Sequence, residues 1–403
     1  MLDRKFTNLF GLPELVFYKN FKQRKNTVTF YFKKKSKMEV CPKCATKSYS
    51  TYDSREVTIK DAPIRDKQVY LKIKKRRFFC KSCKKPFTEP IQGIIKGRRS
   101  TVRFRKHIFW CAANFDNLKR VQQKNKCSSW MVYNSFYEHA ELEVRKLQHP
   151  WGKTVGIDEH SFIRNQKFGH KEFASVFVDY NSSRVREAVY GRYPSDFRKD
   201  KRLNAIPGRD NVENVIIDFS PSMRSFAKEF FPGAKIIADK FHLIKLANHA
   251  VNMKRLEIMK DPKSYIQRNR KNPLRKLLLT NGDRLHFYGQ RALMYTFDFH
   301  RDLEAFYRVK EMIHELYRVR GYKRARKKLI RITDFIASLK MKGLMSLRKT
   351  LMDWRKEILN YFKRRVTNGK TEGFNRKAKL IQRQAYGFKK FENYRLKLIY
   401  LCR

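Results

Sequence analysis

The chain has 403 residues, with 94 Lys and Arg against 37 Asp and Glu, a formal charge of +57, and 41% hydrophobic and 14% aromatic content. That size allows two to four domains around a sizeable core, and the apolar share excludes a largely disordered polymer. The basic excess runs the whole length, which points past mere solubility to a polyanionic partner whose condensed counterions each Lys or Arg displaces.

No stretch of about eighteen residues is free of charge, so no membrane span is expected. The opening MLDRKFTNLFGLPEL lacks the apolar core of a signal peptide. Seven cysteines, an odd number, suit a reducing compartment better than a disulfide framework.

Residues 1–97 hold short strand-like runs, Thr27–Phe32 (TVTFYF) and Val69–Ile73 (VYLKI), bordered by the lysine-rich pieces Lys33–Lys37 and Lys72–Arg77. Two CxxC knuckles, Cys41-Pro-Lys-Cys44 and Cys80-Lys-Ser-Cys83, are separated by residues 45–79. Each presents two thiolates at tetrahedral spacing, and the pair completes a closed, structural Zn²⁺ site. Two disulfides or unrelated free thiols are the plainer readings. Cys111, Cys127 and Cys402 have no partner motif and read as ordinary thiols.

Residues 98–150 become helical. Asn117–Lys124, a break at Asn125–Ser128 and then Ser129–Ala140 spell helix, turn, helix, with Ser128 and Ser129 as candidate N-caps. Such a unit lays its second helix in the major groove. Trp130, Tyr133, Asn134 and Tyr137 lie on that helix, and Arg98, Arg99, Arg103, Arg105 and Lys106 upstream are candidate DNA contacts. A plain helical linker is the alternative.

Residues 151–242 read as α/β. KTVGIDEHSF, EFASVFVDY and REAVYGRY are three strand candidates joined by tight polar turns. VENVIID and AKIIAD follow, each an apolar run ending in Asp, with the helix-like SMRSFAKEFF between them. Metal-assisted phosphoryl transfer needs carboxylates that converge from separate elements, and Mg²⁺ prefers such hard oxygens. Asp158 is placed at the end of the first strand, and Asp218 and Asp239 at the ends of two later ones. If the strand ending at Asp218 pairs with the first, those carboxylates are one strand spacing apart, about 4.8 Å between backbones, and Asp239 lies one strand further out. Asp218 is then the better ligand, with Asp239 and His242 in a supporting layer.

From about Leu243 to Arg365 the apolar residues recur at three-and-four spacing, as in Leu303, Phe306, Tyr307, Met312 and Ile313, so residues 243–365 are expected to be all-helical. In residues 366–403, Glu372 opens a long helix after Thr367-Asn-Gly369. Arg376, Lys379 and Arg383 share a face with it, as they would if one acid met metals and three bases met phosphates. Each acid taken alone reads more plainly as a solvated surface residue.

The order CxxC–CxxC, helix-turn-helix, GIDE, VIID, FPGAKIIADKFH and TNGKTEGFNRKAKLIQRQAYGFKKFENYRLKLI resembles the bacterial ISL-type insertion-sequence transposases over nearly the whole chain. Phe219-Ser-Pro221 departs from the pattern, where relatives more often carry Met and Tyr. The resemblance implies an α/β, ribonuclease-H-like mixed-sheet core interrupted by an all-α insertion and preceded by a zinc ribbon and a helix-turn-helix. It implies Zn²⁺ on Cys41, Cys44, Cys80 and Cys83, and a catalytic triad of Asp158, Asp218 and Glu372 holding two Mg²⁺ (or Mn²⁺). The implied activity is cleavage and transfer of DNA strands. The implied partners are terminal inverted repeats, target DNA and a second copy of the chain, and the implied location is the bacterial cytoplasm, at the nucleoid. A zinc-finger DNA-binding regulator without catalysis and a structure-specific nuclease remain as alternatives.

Overall fold

The structure, a computed structural model, describes residues 7, 8, 10–114, 117–164, 171–261 and 273–403. The chain divides into two compact units: Met1–Lys146 with Arg383–Phe388, and Leu147–Gln382 with Lys389–Arg403.

The first unit begins with β1 (Leu15–Arg24), β2 (Thr27–Lys34), β3 (Glu39–Val40), β4 (Lys47–Ser48), β5 (Thr51–Ile64), β6 (Lys67–Cys80) and β7 (Lys85–Thr88). One sheet has the order β1-β2-β6-β5, with β7 also on β6, while β3 and β4 form a separate hairpin. β2 and β6 run parallel. Arg65 and Asp66, both at positive φ, make the two-residue turn whose twist matches the long β5–β6 ribbon. Alternation along β6 sends Val69, Leu71 and Ile73 into a core with Phe10, Leu12, Leu15, Phe32, Ile59 and Ile91.

Three helices follow: α1 (Val102–Asn114), α2 (Leu118–Asn125) and α3 (Ser129–Lys146). The Asn117 side chain accepts from Arg120 N at 2.8 Å to start α2, and Lys126, in the left-handed region, ends it. Ser128 Oγ accepts from Met131 N at 3.1 Å, so Ser128 is the cap of α3. Lys60 is buried against the end of α2, where its Nζ donates to Asn125 O (2.5 Å) and Lys126 O (2.6 Å). Those are the carbonyls a helix terminus leaves unpaired, at the end where its dipole favours a cation.

In the second unit β8 (Thr154–Arg164), β9 (Lys171–Asp179) and β10 (Arg184–Tyr190) form an antiparallel meander. The helices α4 (Pro194–Lys199) and α5 (Lys201–Ala205) then lead to β11 (Asn214–Ile217), α6 (Pro221–Phe230) and β12 (Lys235–Ala238). The sheet order is β10-β9-β8-β11-β12, with β11 and β12 parallel to β8 and to each other. β11 is wholly buried, which is why Val215–Ile217 reads as a continuous apolar run rather than an alternating one.

Among the described residues six α-helices follow: α7 (Lys240–Ile258), α8 (Leu274–Leu279), α9 (Phe287–Phe299), α10 (Arg301–Arg318), α11 (Tyr322–Leu339) and α12 (Lys342–Asp353). Next, α13 (Arg355–Arg364) is already back on the sheet, where Asn360 Nδ2 donates to Ile236 O of β12 at 2.8 Å. The chain closes with α14 (Gly369–Gln384) and α15 (Phe391–Leu401). α15 is tied to β10 by a buried two-pronged pair in which Arg395 Nε and Nη2 donate to Glu187 Oε1 and Oε2 at 2.5 and 2.6 Å.

One expectation is corrected. Asp158 does not end its strand, because β8 runs on to Arg164, held open by β9, whose Val176 pairs with Asp158 and Ala174 with His160.

Candidate active site and metal centre

The zinc-ribbon thiols converge. Cys41 and Cys44 flank the turn of the β3–β4 hairpin, while Cys80 closes β6 and Cys83 lies in the following turn. All four Sγ atoms lie within 4.8 Å of one another, with Cys41–Cys83 at 3.9 Å and Cys44–Cys80 at 3.5 Å. Tetrahedral ligands at about 2.3 Å from Zn²⁺ stand roughly 3.8 Å apart, so the set fits that ion with little movement. Hydrogen bonding by Thr46 draws the Cys44 thiol down to about 6, and the neighbouring Cys44 pushes Cys83 up to about 12. Crowded thiols divide in this way, one charged and one protonated, and a dication removes the conflict. Among the described residues this is the one set of three or more such ligand groups packed so tightly.

The carboxylates occupy a row across the central sheet. The offset that pairs Ile216 with Gly156 also sets Asp218 level with Asp158, and the offset that pairs Ile217 with Ala238 sets Asp218 level with Asp239. Asp218 thus stands just past the end of β11, the strand beside β8, and Asp239 just past the end of β12, one strand further out. Burial is the main reason that Asp158, Glu159 and Asp218 all hold their protons more tightly than free acids. For Asp158 the charges of Asp218 and Asp239 act in the same direction, while His242 opposes.

Asp239 is buried and caps α7, its Oδ1 accepting from Phe241 N at 3.2 Å. Its Oδ2 is 2.8 Å from His242 Nδ1, and that hydrogen bond is the main cause of the raised His242 proton affinity. A cavity of about 460 Å³ opens beside Asp218, with His242, Lys245, Asn248 and His249 of α7 and Arg275 of α8 in its wall.

Helix α14 is pinned to this sheet at its first turn. Tyr180, just beyond β9, donates from its hydroxyl to Asn368 Oδ1 (3.2 Å) and lies 2.9 Å from Thr371 Oγ1. Lys370 Nζ donates to Tyr180 O at 2.7 Å and Ser183 Oγ at 2.8 Å. Thr371 sits over Gly156 and Asn375 over Asp158, whose Oδ2 accepts from Asn375 Nδ2 at 2.8 Å. Glu372, between them on the helix and half exposed, accepts at Oε1 from Arg376 Nη2 at 2.7 Å. Lys379 and Arg383 continue along α14 as the spacing anticipates.

The basic residues ahead of and within α1 divide. Arg99 and Lys106 are exposed. Arg103 ion-pairs with the buried Asp61 at 2.5 Å, and Arg105 is buried and paired with Glu138 at 2.7 Å. Arg105 therefore holds α1 to α3.

Sequence reasoning passed over Asn375, Tyr180, Thr371 and His160. The signal was present for two of them: His160, two residues after Asp158, shares its strand face. Asn375, three after Glu372, shares its helix face.

Comparison with known proteins agrees with this anatomy. The family described as "Transposase", of the ISL3-type DDE group, matches residues 155–398, and the zinc-finger family of transposases IS204/IS1001/IS1096/IS1165 matches residues 37–83. The transposase for insertion sequence element IS1001 of Bordetella parapertussis is 22% identical over 383 residues, covering 92% of this chain and 91% of that protein. No helix among the described residues is long and apolar enough to cross a membrane. The chain belongs to the ISL3-type family of insertion-sequence transposases.

Proposed function

We propose that this chain cuts and joins DNA at the ends of an insertion sequence, with Asp158, Asp218 and Glu372 as its catalytic acids. The observation that carries the reading is that the register of the parallel strands β8 and β11, continued past the end of β11, brings Asp218 level with Asp158, with the helix that bears Glu372 laid on Asp158 through Asn375. The mixed sheet serves as a ribonuclease-H-like core, α7–α12 as a helical insertion within it, and α2–α3 as a helix-turn-helix.

The donor set suits two Mg²⁺ (or Mn²⁺) ions. It offers hard carboxylate oxygens whose own ionisation is opposed by burial and by one another, a conflict that divalent charge relieves. Bound there, the ions would activate the attacking oxygen and stabilise the leaving one. Asp239 holds His242 in place, and the charges of Asp158 and Asp218 add to that hydrogen bond in raising its proton affinity. Arg376, Lys379 and Arg383 along α14, with Arg99 and Lys106, take backbone phosphates of terminal repeats and target. Water first cleaves a phosphodiester at each element end, and the freed 3′-hydroxyl then attacks target DNA in line. Both ends must be cut together, so a homodimer or larger assembly on DNA is the working form, at the nucleoid of a bacterial cytoplasm.

The test incubates the protein and Mg²⁺ with labelled terminal-repeat DNA. Strand-transfer products are expected. Cleavage without joining would make the chain a structure-specific nuclease, and binding alone would make it a zinc-finger regulator. Glu372→Gln should abolish cleavage while repeat binding stays within a few-fold, and cutting at the unaltered rate would remove Glu372 from the triad.

A further inference from the structure

We infer that the cavity between α7, α10 and the loop joining α8 to α9 is a phosphate-binding site, served by the Tyr317 hydroxyl and the cations Lys240, Arg284 and Arg318. The site stands apart from the acidic row and from the bases of α14, and it uses none of the catalytic acids proposed above.

The cavity holds about 630 Å³, within the range of small-ligand pockets. Tyr317, in its wall, is 2% exposed, and its ring packs on Tyr361 at 5.2 Å and Phe362 at 5.7 Å. Its hydroxyl nevertheless has no hydrogen-bond partner among the described residues. Buried hydroxyls are nearly always paired. Nε2 of His314, three residues earlier on α10, is also buried and unpaired, and His314 lines the same cavity. The partner for both atoms is therefore something that enters the cavity.

Charge decides between water and an anion. Water satisfies a hydroxyl and a ring nitrogen, but it leaves the cations unanswered. Lys240 is half-buried, with its Nζ 5.5 Å from the centre of the Tyr317 ring. No acid acts on it; burial, and then the charge of Arg365, loosen its proton. Asp283, the acid in the wall, is spent on an ion pair with Arg318. Asn281 Oδ1 accepts from Asp283 N at 3.2 Å and from Arg318 Nη2 at 3.2 Å, so this amide has its nitrogen left to donate. The wall thus offers donors from α7, from α10 and from the loop, with its carboxylate already engaged. A tetrahedral phosphate accepts from several directions at once, and charged donors bind it best. A DNA backbone and a free phosphate compound share that chemistry.

The test titrates inorganic phosphate, at constant ionic strength, into the zinc-loaded full chain by calorimetry. Beside it, terminal-repeat DNA binding is measured at four salt concentrations. Tyr317→Phe keeps the ring and removes only the hydroxyl. It should weaken phosphate about ten-fold, the worth of one hydrogen bond to a charged group. Its melting temperature in phosphate-free buffer should hold or rise, because an unpaired buried atom is gone. Lys240→Met keeps the stem without the charge; it should weaken phosphate by a similar factor, and it carries the test if Tyr317→Phe does not fold. If repeat affinity also falls, with a salt slope smaller by about 1 for Lys240→Met, the site holds a DNA phosphate. If repeat affinity stays within two-fold, it holds a free phosphate compound. Phosphate titrations and salt slopes that both match the unaltered chain would overturn the site.

Discussion

A β-carbon placed on Gly156 would lie 2.2 Å from Thr371 Oγ1 and 2.6 Å from the Tyr180 ring. Strand β8 and helix α14 therefore meet at a distance that only a residue without a side chain permits, and that contact sets the height of Asn375 and Glu372 above the sheet. Gly156→Ala should destabilise the second unit by about 1–3 kcal/mol, the usual cost of overpacking. Cleavage should fall further than the melting temperature suggests, because α14 is displaced. Adding Thr371→Ala should restore part of both, as paired thermal melts and cleavage assays will show.

Stability without divalent ions should depend on pH in a stated direction. Asp158 and Asp218, ordinarily near 3.8, and Glu159, near 4.5, have raised values in the fold. Their contribution is complete below those ordinary values and is lost as pH climbs through the folded ones. His242, raised from 6.5, acts in the same sense from that pH upward. Asp218→Asn removes one of the opposed charges. It should raise the melting temperature of the Mg²⁺-free protein near pH 7.5 by roughly 2–4 °C and flatten the fall between pH 4 and 8, while abolishing cleavage. Melting curves across that range, in moderate salt to screen surface pairs, provide the check; a lower melting temperature for Asp218→Asn near pH 7.5 would count against it.

Zinc analysis should find one ion per chain. Cys80→Ser, at a fully buried ligand position, should bring the zinc content close to zero and lower the unfolding transition of the first unit by at least several degrees. Cys111→Ser, Cys127→Ser and Cys402→Ser, outside the cluster, should leave the stoichiometry unchanged.

The basic residues around α1 should separate by salt dependence. Arg99→Ala and Lys106→Ala should each reduce the slope of log affinity against log salt by about 1, as expected when a phosphate contact is lost. Arg105→Ala should leave that slope intact and cost about 1–3 kcal/mol of stability, since its buried guanidinium packs inside the unit and pairs with Glu138. Filter binding at four salt concentrations, set beside thermal melts, distinguishes the two outcomes.

Much of the architecture is legible in the residues. Apolar runs ending in Asp mark β11 and β12, and the strand order that the sequence argument took as its condition, with the run ending at Asp218 beside the first strand, is the order found. The cysteine knuckles mark their own cluster. What stays hidden has physical causes. The lysine-rich Lys72–Arg77 reads as the border of a strand, yet it is the middle of β6, where ion pairs of Lys72 with Glu56, Arg76 with Glu89 and Arg77 with Asp53 accommodate the charges. Asp158 reads as a strand end because apolar character fades after it, whereas pairing with β9 carries the strand to Arg164. The Glu187–Arg395, Asp158–Asn375 and His160–Tyr394 pairs join residues far apart in the chain. Such long-range polar pairing leaves no local period to detect.

The separation of Asp158 from Asn375, 217 positions along the chain, also sets a timetable for synthesis. At translation rates of 5–20 residues per second, a ribosome needs roughly 10–40 s to travel from one to the other. During that interval the four zinc-site cysteines and α1–α3 have already been made, and β8 waits with Asp158 and Glu159 uncovered by α14. Messages truncated within that window would yield products with all four zinc-site cysteines and α1–α3, but without a complete α14 to lie over Asp158.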